Sequence, residues 1–237
     1  MEKIATGVCL TFDDLFVENW LAALPIFESH QAKATFCVTQ LHSATAGQIE
    51  GLRALQLHGH EIGFHSRTHP RLLPYLRQYG LENWLTKEID AGVEEHRAAG
   101  FPATSFASPF HASTWETRRE TGKRFEVVRA KGPRGMTADQ LVRRIYKSPG
   151  RNSSVDNIGS IDFRHSSQGG WEWMQTILDA LVKHRGVGIF TGHDIRNEAT
   201  GEGRYSTHSD MERLLGEIRD RGLRFYTLTN FARISAG

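Results

Sequence analysis

Two stretches combine residue types and spacing suited to chemistry: Thr11-Phe12-Asp13-Asp14 and His65-Ser66-Arg67-Thr68-His69. The first is an apolar run that ends in adjacent carboxylates. Consecutive side chains on a strand diverge, so one carboxylate can hold a cation while the other stays free as a base. In the second, the i, i+4 spacing sets both imidazoles on one side of a helical turn, close enough to share an ion, and Pro70 ends the turn at His69. Two imidazoles and a carboxylate leave coordination positions open for water and substrate, as catalytic zinc sites do. Each stretch has a plainer reading: Asp14 as a helix cap, and the histidines as unrelated surface residues. Together they favour one cation held by His65, His69 and one carboxylate of the Asp13-Asp14 pair, with the other carboxylate beside it.

Three further segments carry polar groups to strand ends. Thr191-Gly192-His193-Asp194 offers His193 as a proton donor, with Gly192 permitting close approach. Ala107-Ser108-Pro109-Phe110-His111 is a strand end stiffened by Pro109, and Asp162-Phe163-Arg164-His165 is another polar strand end. Most of the remaining histidines have ordinary readings: His58 and His60 in a loop, and His30, His42, His96 and His184 solvated on helix ends or faces. Trp171 and Trp173 read as core rather than as a sugar-stacking platform.

The elements that must position these groups alternate. Strands are expected at Thr6–Phe12, Ala34–Thr39, Glu61–Phe64, Thr104–Ser108, Val127–Arg129, Ile158–Phe163, Val187–Thr191 and Arg224–Leu228. Helices are expected at Phe16–His30, Ala46–Gln56, Leu85–Ala99, Thr114–Gly122, Trp171–His184 and Ser209–Arg221. Gly100 with Pro102 beyond it closes the Leu85 helix. Strands alternating with helices of this length argue for parallel βαβ units. About seven of them suggest a distorted (β/α)7-type barrel in one domain over residues 1–237. Barrel chemistry collects at the C-terminal strand ends, which is where the polar segments above fall. Two stretches are harder to read, Ala130–Asn157 and Gly201–His208; long loops of this kind are often functional.

Composition narrows the class. The 237 residues carry 29 basic and 27 acidic side chains, a net +2, too small an excess to suggest nucleic acid as a partner. Cys9 and Cys37, the two cysteines, sit in apolar runs and read as buried free thiols. The opening MEKIATGVCLTFDD holds no apolar stretch long enough for a signal peptide or a membrane span, which points to a cytoplasmic protein.

TFDD, then HSRTH, then SPF, then a late strand-end histidine resemble the polysaccharide deacetylase superfamily, the NodB-homology or carbohydrate esterase family 4 proteins. The resemblance runs from about Gly7 to Phe231. The ordered TFDD and HSxxH pair is specific, and the later motifs are weaker. It implies a distorted barrel and a divalent metal, zinc first, with cobalt, nickel, manganese or iron as alternatives. It assigns Asp13 as general base, Asp14, His65 and His69 as metal ligands, and His193 as general acid. Pro109 and Phe110 fall at the substrate, the Phe110 backbone N–H stabilising the oxyanion, and Asp162 supports His193. Where the family pattern has Arg-x-Pro-Tyr this chain has Ala107-Ser108-Pro109-Phe110, so the arginine that steadies the base is displaced. Arg164 is the expected replacement.

The implied reaction is hydrolysis of the N-acetyl amide of an amino sugar in a polysaccharide or glycan precursor, with a place in surface-polysaccharide synthesis. Two other readings remain open: hydrolysis of another small or cyclic amide on the same fold, and a non-catalytic carbohydrate-binding relic.

Overall fold

The computed structural model describes residues 5–133, 135–145, 153–163 and 170–235. Its strands are β1 (Gly7–Asp14), β2 (Ala34–Val38), β3 (Glu61–Phe64), β4 (Ser105–Ala107), β5 (Val127–Lys131), β6 (Ser153–Asn157), β7 (Gly159–Ser160), β8 (Val187–Gly192), β9 (Asp194–Arg196), β10 (Tyr205–Thr207) and β11 (Arg224–Phe225). The helices that matter below are α1 (Val17–Ala22), α2 (Leu24–Ser29), α3 (Ala46–Leu57), α4 (Leu72–Trp84) and, closing the chain, α5 (Leu228–Ser235).

Every strand pair is parallel, in the order β6-β5-β4-β3-β2-β1-β8-β7. Only Ile158 separates β6 from β7, and its N–H donates to Ile189 of β8 at 2.8 Å. The run from Ser153 to Ser160 therefore pairs β5 on one side and β8 on the other, and seven staves come close to a complete ring. Strand β11 pairs with the start of β1, at Gly7 and Val8, while β2 pairs with β1 only from Leu10 onward. The ring is thus splayed at its lower end, a distorted (β/α) barrel.

Alternation along β1 separates two cores, because successive side chains face opposite ways. Val8, Leu10 and Phe12 pack outward with Trp20, Phe27 and Leu52 of the covering helices. Cys9 faces a second cluster with Cys37, Val127, Ile189, Tyr226, Leu228 and Phe231. Helix α5 thereby plugs the barrel from below, and Thr11 and Asp13 continue up the interior. Both cysteines are free and buried. Both faces of β1 being apolar up to its acidic end accounts for its near-continuous hydrophobic sequence.

Several expectations shift. Phe16–His30 is two helices, broken at Ala23, whose successor helix α2 has Pro at its start. Arg224–Leu228 is a short strand followed by α5 rather than one strand. The Ile158–Phe163 strand lies earlier, in β6 and β7, and α4 was masked in the sequence by Pro70 and Pro74. Pro74 is tolerated because it falls in the first turn, where its missing N–H has no helical partner. His60 lies in the loop before β3 as expected but is buried, and His96 and His30 are buried rather than solvated. The His60 Nδ1 accepts from the Ala34 N–H at 3.1 Å. Trp171 stacks on Phe163 with ring centroids 4.2 Å apart, and Trp171 and Trp173 both pack against the outer core. Among the described residues no helix is long and apolar enough to cross a membrane.

Candidate active site

The upper ends of β1, β3, β4 and β8 open into a cavity of about 320 Å³ lined by Asp13, Asp14, Phe16, His65, His69, Phe110, His111, His193 and Arg204. The pairing of β1 with β2 carries the parallel ladder right up to Asp14. There the backbone turns sharply, with Asp14 at φ 82°, a left-handed conformation that Asp tolerates better than most residues. Helix α1 begins after Phe16 with no side-chain cap, so Asp14 is not a helix cap and its carboxylate is left for the cavity.

His65 and His69 do converge, but not on a helical turn. Residues 65–69 form a loop with Ser66 at φ 63° and His69 at φ 59°. The Ser66 hydroxyl accepts from the His69 N–H at 3.0 Å, and Glu88 accepts from the Thr68 N–H at 2.9 Å and its hydroxyl at 2.7 Å. These bonds fix a backbone that spacing alone would not produce. The His65 Nδ1–H donates to the Ala107 carbonyl at 2.7 Å, which leaves Nε2 with its lone pair toward the cavity. Burial drives the His65 pKa down to about 3, so the ring is neutral, as a metal ligand must be.

The donor set fits a divalent cation. The two Nε2 atoms lie 3.2 Å apart, and Asp14 Oδ1 stands 3.6 Å from that of His69 and 3.9 Å from that of His65. Two ligands each about 2.1 Å from a tetrahedral ion stand about 3.4 Å apart. Burial above all, with the neighbouring Asp13 carboxylate, raises the Asp14 pKa, a charge conflict that a cation relieves. Beside this set, Asp13 keeps Oδ1 buried and without a hydrogen-bond partner among the described residues, a costly arrangement unless something bound in the cavity answers it.

The other Asp13 oxygen is held. Arg129, on β5 and fully buried, donates from Nη2 to Asp13 Oδ2 at 2.6 Å and from Nη1 to the hydroxyls of Thr11, at 3.0 Å, and Thr191. The guanidinium crosses the barrel interior and ties β5 to β1 and β8. Burial alone would raise the Asp13 pKa; Arg129, His65 and His193 outweigh it and hold the carboxyl well below its usual range.

Across the cavity, the His193 Nδ1 meets Asp162 Oδ2 at 2.7 Å, while Asp162 Oδ1 accepts the His193 N–H at 2.9 Å. The Trp20 indole N–H donates to the His193 carbonyl at 2.8 Å. Burial would depress this imidazole, but the hydrogen bond and charge of Asp162, with Asp13 and Asp14 behind it, raise its pKa above the ordinary value. A Cβ on Gly192 would lie 2.8 Å from Ile161 and 3.1 Å from Phe12, so only glycine lets β8 deliver His193 here.

A base-type carboxylate, a convergent His-His-Asp set and a raised histidine share one pocket, and a family profile described as polysaccharide deacetylase matches residues 2–129. The chain belongs to the polysaccharide deacetylase family. This deacetylase is a hydrolase of non-peptide C–N amide bonds. No curated protein matches its sequence. Solved structures share its fold. The peptidoglycan N-acetylglucosamine deacetylase Bc1960 is 18% identical with a TM-score of 0.61, over 97% of this chain and 89% of that one. The catalytic domain of a peptidoglycan N-acetylglucosamine deacetylase from Eubacterium rectale is 18% identical with a TM-score of 0.58, over 98% and 92%. The Xyl-CE4 domain of a multidomain xylanase from the hindgut metagenome of Trinervitermes trinervoides is 16% identical with a TM-score of 0.59, over 98% and 91%.

For the deacetylase site, the sequence anticipated Asp13, Asp14, His65, His69, His193 and Asp162, and the fold brings all six together. Arg164, the expected replacement for the displaced motif arginine, lies outside the described residues. The guanidinium that meets Asp13 belongs to Arg129, which spacing did not single out. The available signal was an arginine inside the otherwise apolar Val127–Ala130 run, since a charge is rarely buried in a barrel strand without a partner. Pro109 is buried and opens a tight turn through His111, with Phe110 at φ 54° and half exposed. The Phe110 ring lies 4.7 Å from that of His69. His111, at the end of the Ala107–His111 segment the sequence brought to the site, and Arg204, which it did not single out, also line the deacetylase cavity; burial first, then Arg129, brings the His111 pKa down to about 4.

Proposed function

We propose that this chain is a metal-dependent deacetylase that hydrolyses the N-acetyl amide of an amino sugar in a polysaccharide or glycan precursor. The observation that carries the reading is the convergence of Asp14, His65 and His69, all ligand atoms within 4.8 Å of one another, beside an Asp13 oxygen that has no other partner. Asp14, His65 and His69 would hold the cation, zinc first. Bound there, it supplies Lewis acidity and an acidified water.

The chain's own residues do the rest. Asp13 is kept ionised by Arg129, with Oδ2 fixed and Oδ1 free to take a proton from the attacking water. The Phe110 N–H, on a turn stiffened by Pro109, stabilises the developing oxyanion, a contribution of about 3 kcal/mol per donor in such sites. His193 enters protonated because Asp162 favours its imidazolium, and it delivers that proton to the departing nitrogen, since an amine leaves poorly as an anion. Products are acetate and a free amino sugar.

A base left without its arginine would favour a different small amide as substrate; the Arg129 guanidinium on Asp13 removes that support. A carbohydrate-binding relic has no use for a charged base, a ligand triad and a supported acid in one cavity. The deciding experiment follows acetate and formate from the metal-loaded protein on acetylated sugars, sugar nucleotides and cyclic amides. Metal-dependent acetate release from a sugar is expected. Sugar binding with no released acid, with or without zinc or cobalt, would replace the reading by the relic.

A further inference from the structure

At the mouth of the cavity one strong charge has no role in the chemistry above. Arg204 lines the cavity and is exposed, and its side chain makes no hydrogen bond or ion pair with any described residue. Deeper in the site the cationic groups are matched, Arg129 by Asp13 and His193 by Asp162.

The backbone that presents Arg204 is built, not loose. Arg196 braces the intervening loop from within, donating to the Thr200 carbonyl and, at 3.1 Å, to that of Glu202. Its Nε is held by Asp194 at 2.7 Å, its guanidinium lies 4.2 Å from the Tyr205 ring centroid, and the other Asp194 oxygen accepts from Asn19 of α1 at 2.7 Å. The Arg204 carbonyl itself accepts from the Asp194 N–H at 3.3 Å. One arginine is thus spent on fixing the loop so that another stands at the cavity with its five donors free. A second guanidinium, Arg71, sits 4.7 Å over the ring of Phe110, which lines the same cavity, and it too makes no ion pair among the described residues.

We propose that the acylated amino sugar taken by this site carries an anionic group, a carboxylate or a phosphoryl, which Arg204 receives at the mouth of the cavity. The proposal rests on the deacetylase reading and names the substrate class within it. Guanidinium meets either anion through two parallel N–H bonds, and a cavity of about 320 Å³ is at the small end of ligand pockets. One sugar ring with an anionic substituent at the mouth fits that scale. Arg204 then sets orientation, turning the amide inward toward Asp13 and His193.

The test uses the metal-loaded full chain, its Arg204→Ala and Arg204→Lys variants, and three probes: N-acetylglucosamine, N-acetylglucosamine 1-phosphate and an N-acetylated aminouronic acid. Acetate release is expected to favour at least one charged sugar over the neutral one by about ten- to a hundred-fold in kcat/KM, the scale of a charge-assisted hydrogen bond. Arg204→Ala erases that preference through KM, Arg204→Lys restores part of it, and added salt weakens it. A preference for phosphate or for carboxylate tells the two anions apart. Equal turnover of neutral and charged sugars by the parent protein, or a preference that survives Arg204→Ala, overturns the proposal. If no sugar releases acetate, the deacetylase reading fails, and calorimetric titration with the same probes decides this one. Tighter binding of a charged sugar that is lost in Arg204→Ala upholds it; equal binding, or none, overturns it.

Discussion

The two ends of the barrel each hold a half-buried or buried carboxylate among hydroxyls, and they are finished to different standards. At the lower end, Glu61 of β3 has both oxygens answered. Oε2 accepts from the Thr35 hydroxyl at 3.1 Å and the Thr229 N–H at 3.0 Å, and Oε1 accepts from the Thr229 hydroxyl at 2.6 Å. Thr35 in turn accepts the Leu228 N–H at 2.9 Å, so the first backbone donors of α5 are satisfied and the plug is fastened. At the upper end, among the described residues, Asp13 has one oxygen tied to Arg129 and the other bare, and His111 Nδ1 and Arg129 Nε are likewise buried without partners. A closed network is what a structural carboxylate needs. An open one costs stability and survives where a ligand or reaction completes it. For these two carboxylates the contrast separates an architectural role from a chemical one without reference to family.

The sharpest way to break that contrast is at the upper end. His65→Ala or Asp14→Ala should lose bound metal, read by elemental analysis, and lower turnover by roughly a thousand-fold or more; retention of both metal and turnover would remove the triad from the site. Asp13→Asn should keep the metal and still lower kcat by about 10²–10⁴-fold. Arg129 belongs to both ends of the argument. Arg129→Met leaves Asp13 buried without its cation, so it should cost about 3–5 kcal/mol of stability by denaturant titration as well as turnover. An Arg129→Met protein of parental stability would mean that the guanidinium does not anchor the interior.

How much of this the sequence disclosed follows from the same contrast. Asp13-Asp14 and His65/His69 were legible because their types are rare together and their spacing is local. The geometry behind them was not: the imidazoles meet through left-handed Ser66 and His69, held by Glu88 from nineteen positions beyond His69, and no periodicity encodes that. Arg129 was missed because its three partners sit on β1 and β8, more than sixty positions away in either direction. The barrel itself was legible from alternation. The closing stave was misplaced because Ser153–Asn157 is too polar to read as a strand, and its pairing is decided by β5 and β8 on either side.

A smaller effect sharpens the contrast within the upper end. Asp162 raises His193 by favouring the imidazolium, so a reaction that needs His193 protonated should fail as pH rises through that raised pKa. Asp162→Asn removes the favouring charge. The His193 pKa then falls, and the alkaline limb of kcat/KM should move to lower pH. An unmoved limb would assign it to another group.

The smallest effect is expected at the closed end, and it depends on which atom is removed. Glu61→Ala takes away the acceptor for three donors at once, and a half-buried network of this kind should lose about 2 kcal/mol, or about 4–8 °C in Tm for a chain of this size. Glu61→Gln keeps one oxygen, which can still serve the Thr35 hydroxyl and the Thr229 N–H. Its new NH₂ faces the Thr229 hydroxyl, which is free to rotate and donate instead to Thr104, whose Oγ1 is 2.8 Å away. The Thr35 hydroxyl, the Thr229 N–H and the Thr229 hydroxyl keep acceptors, the half-buried Thr104 hydroxyl is left to turn its proton toward solvent, and the main loss is the negative charge at the start of α5, worth about 0.3–1 kcal/mol. Glu61→Gln should therefore shift Tm by no more than a few degrees, and both variants should retain the parent's metal content and kcat. A Glu61→Gln protein as unstable as Glu61→Ala would show that charge, not completed bonding, fastens the plug. A loss of kcat without loss of Tm would show that the two ends of the barrel are not the separate devices described above.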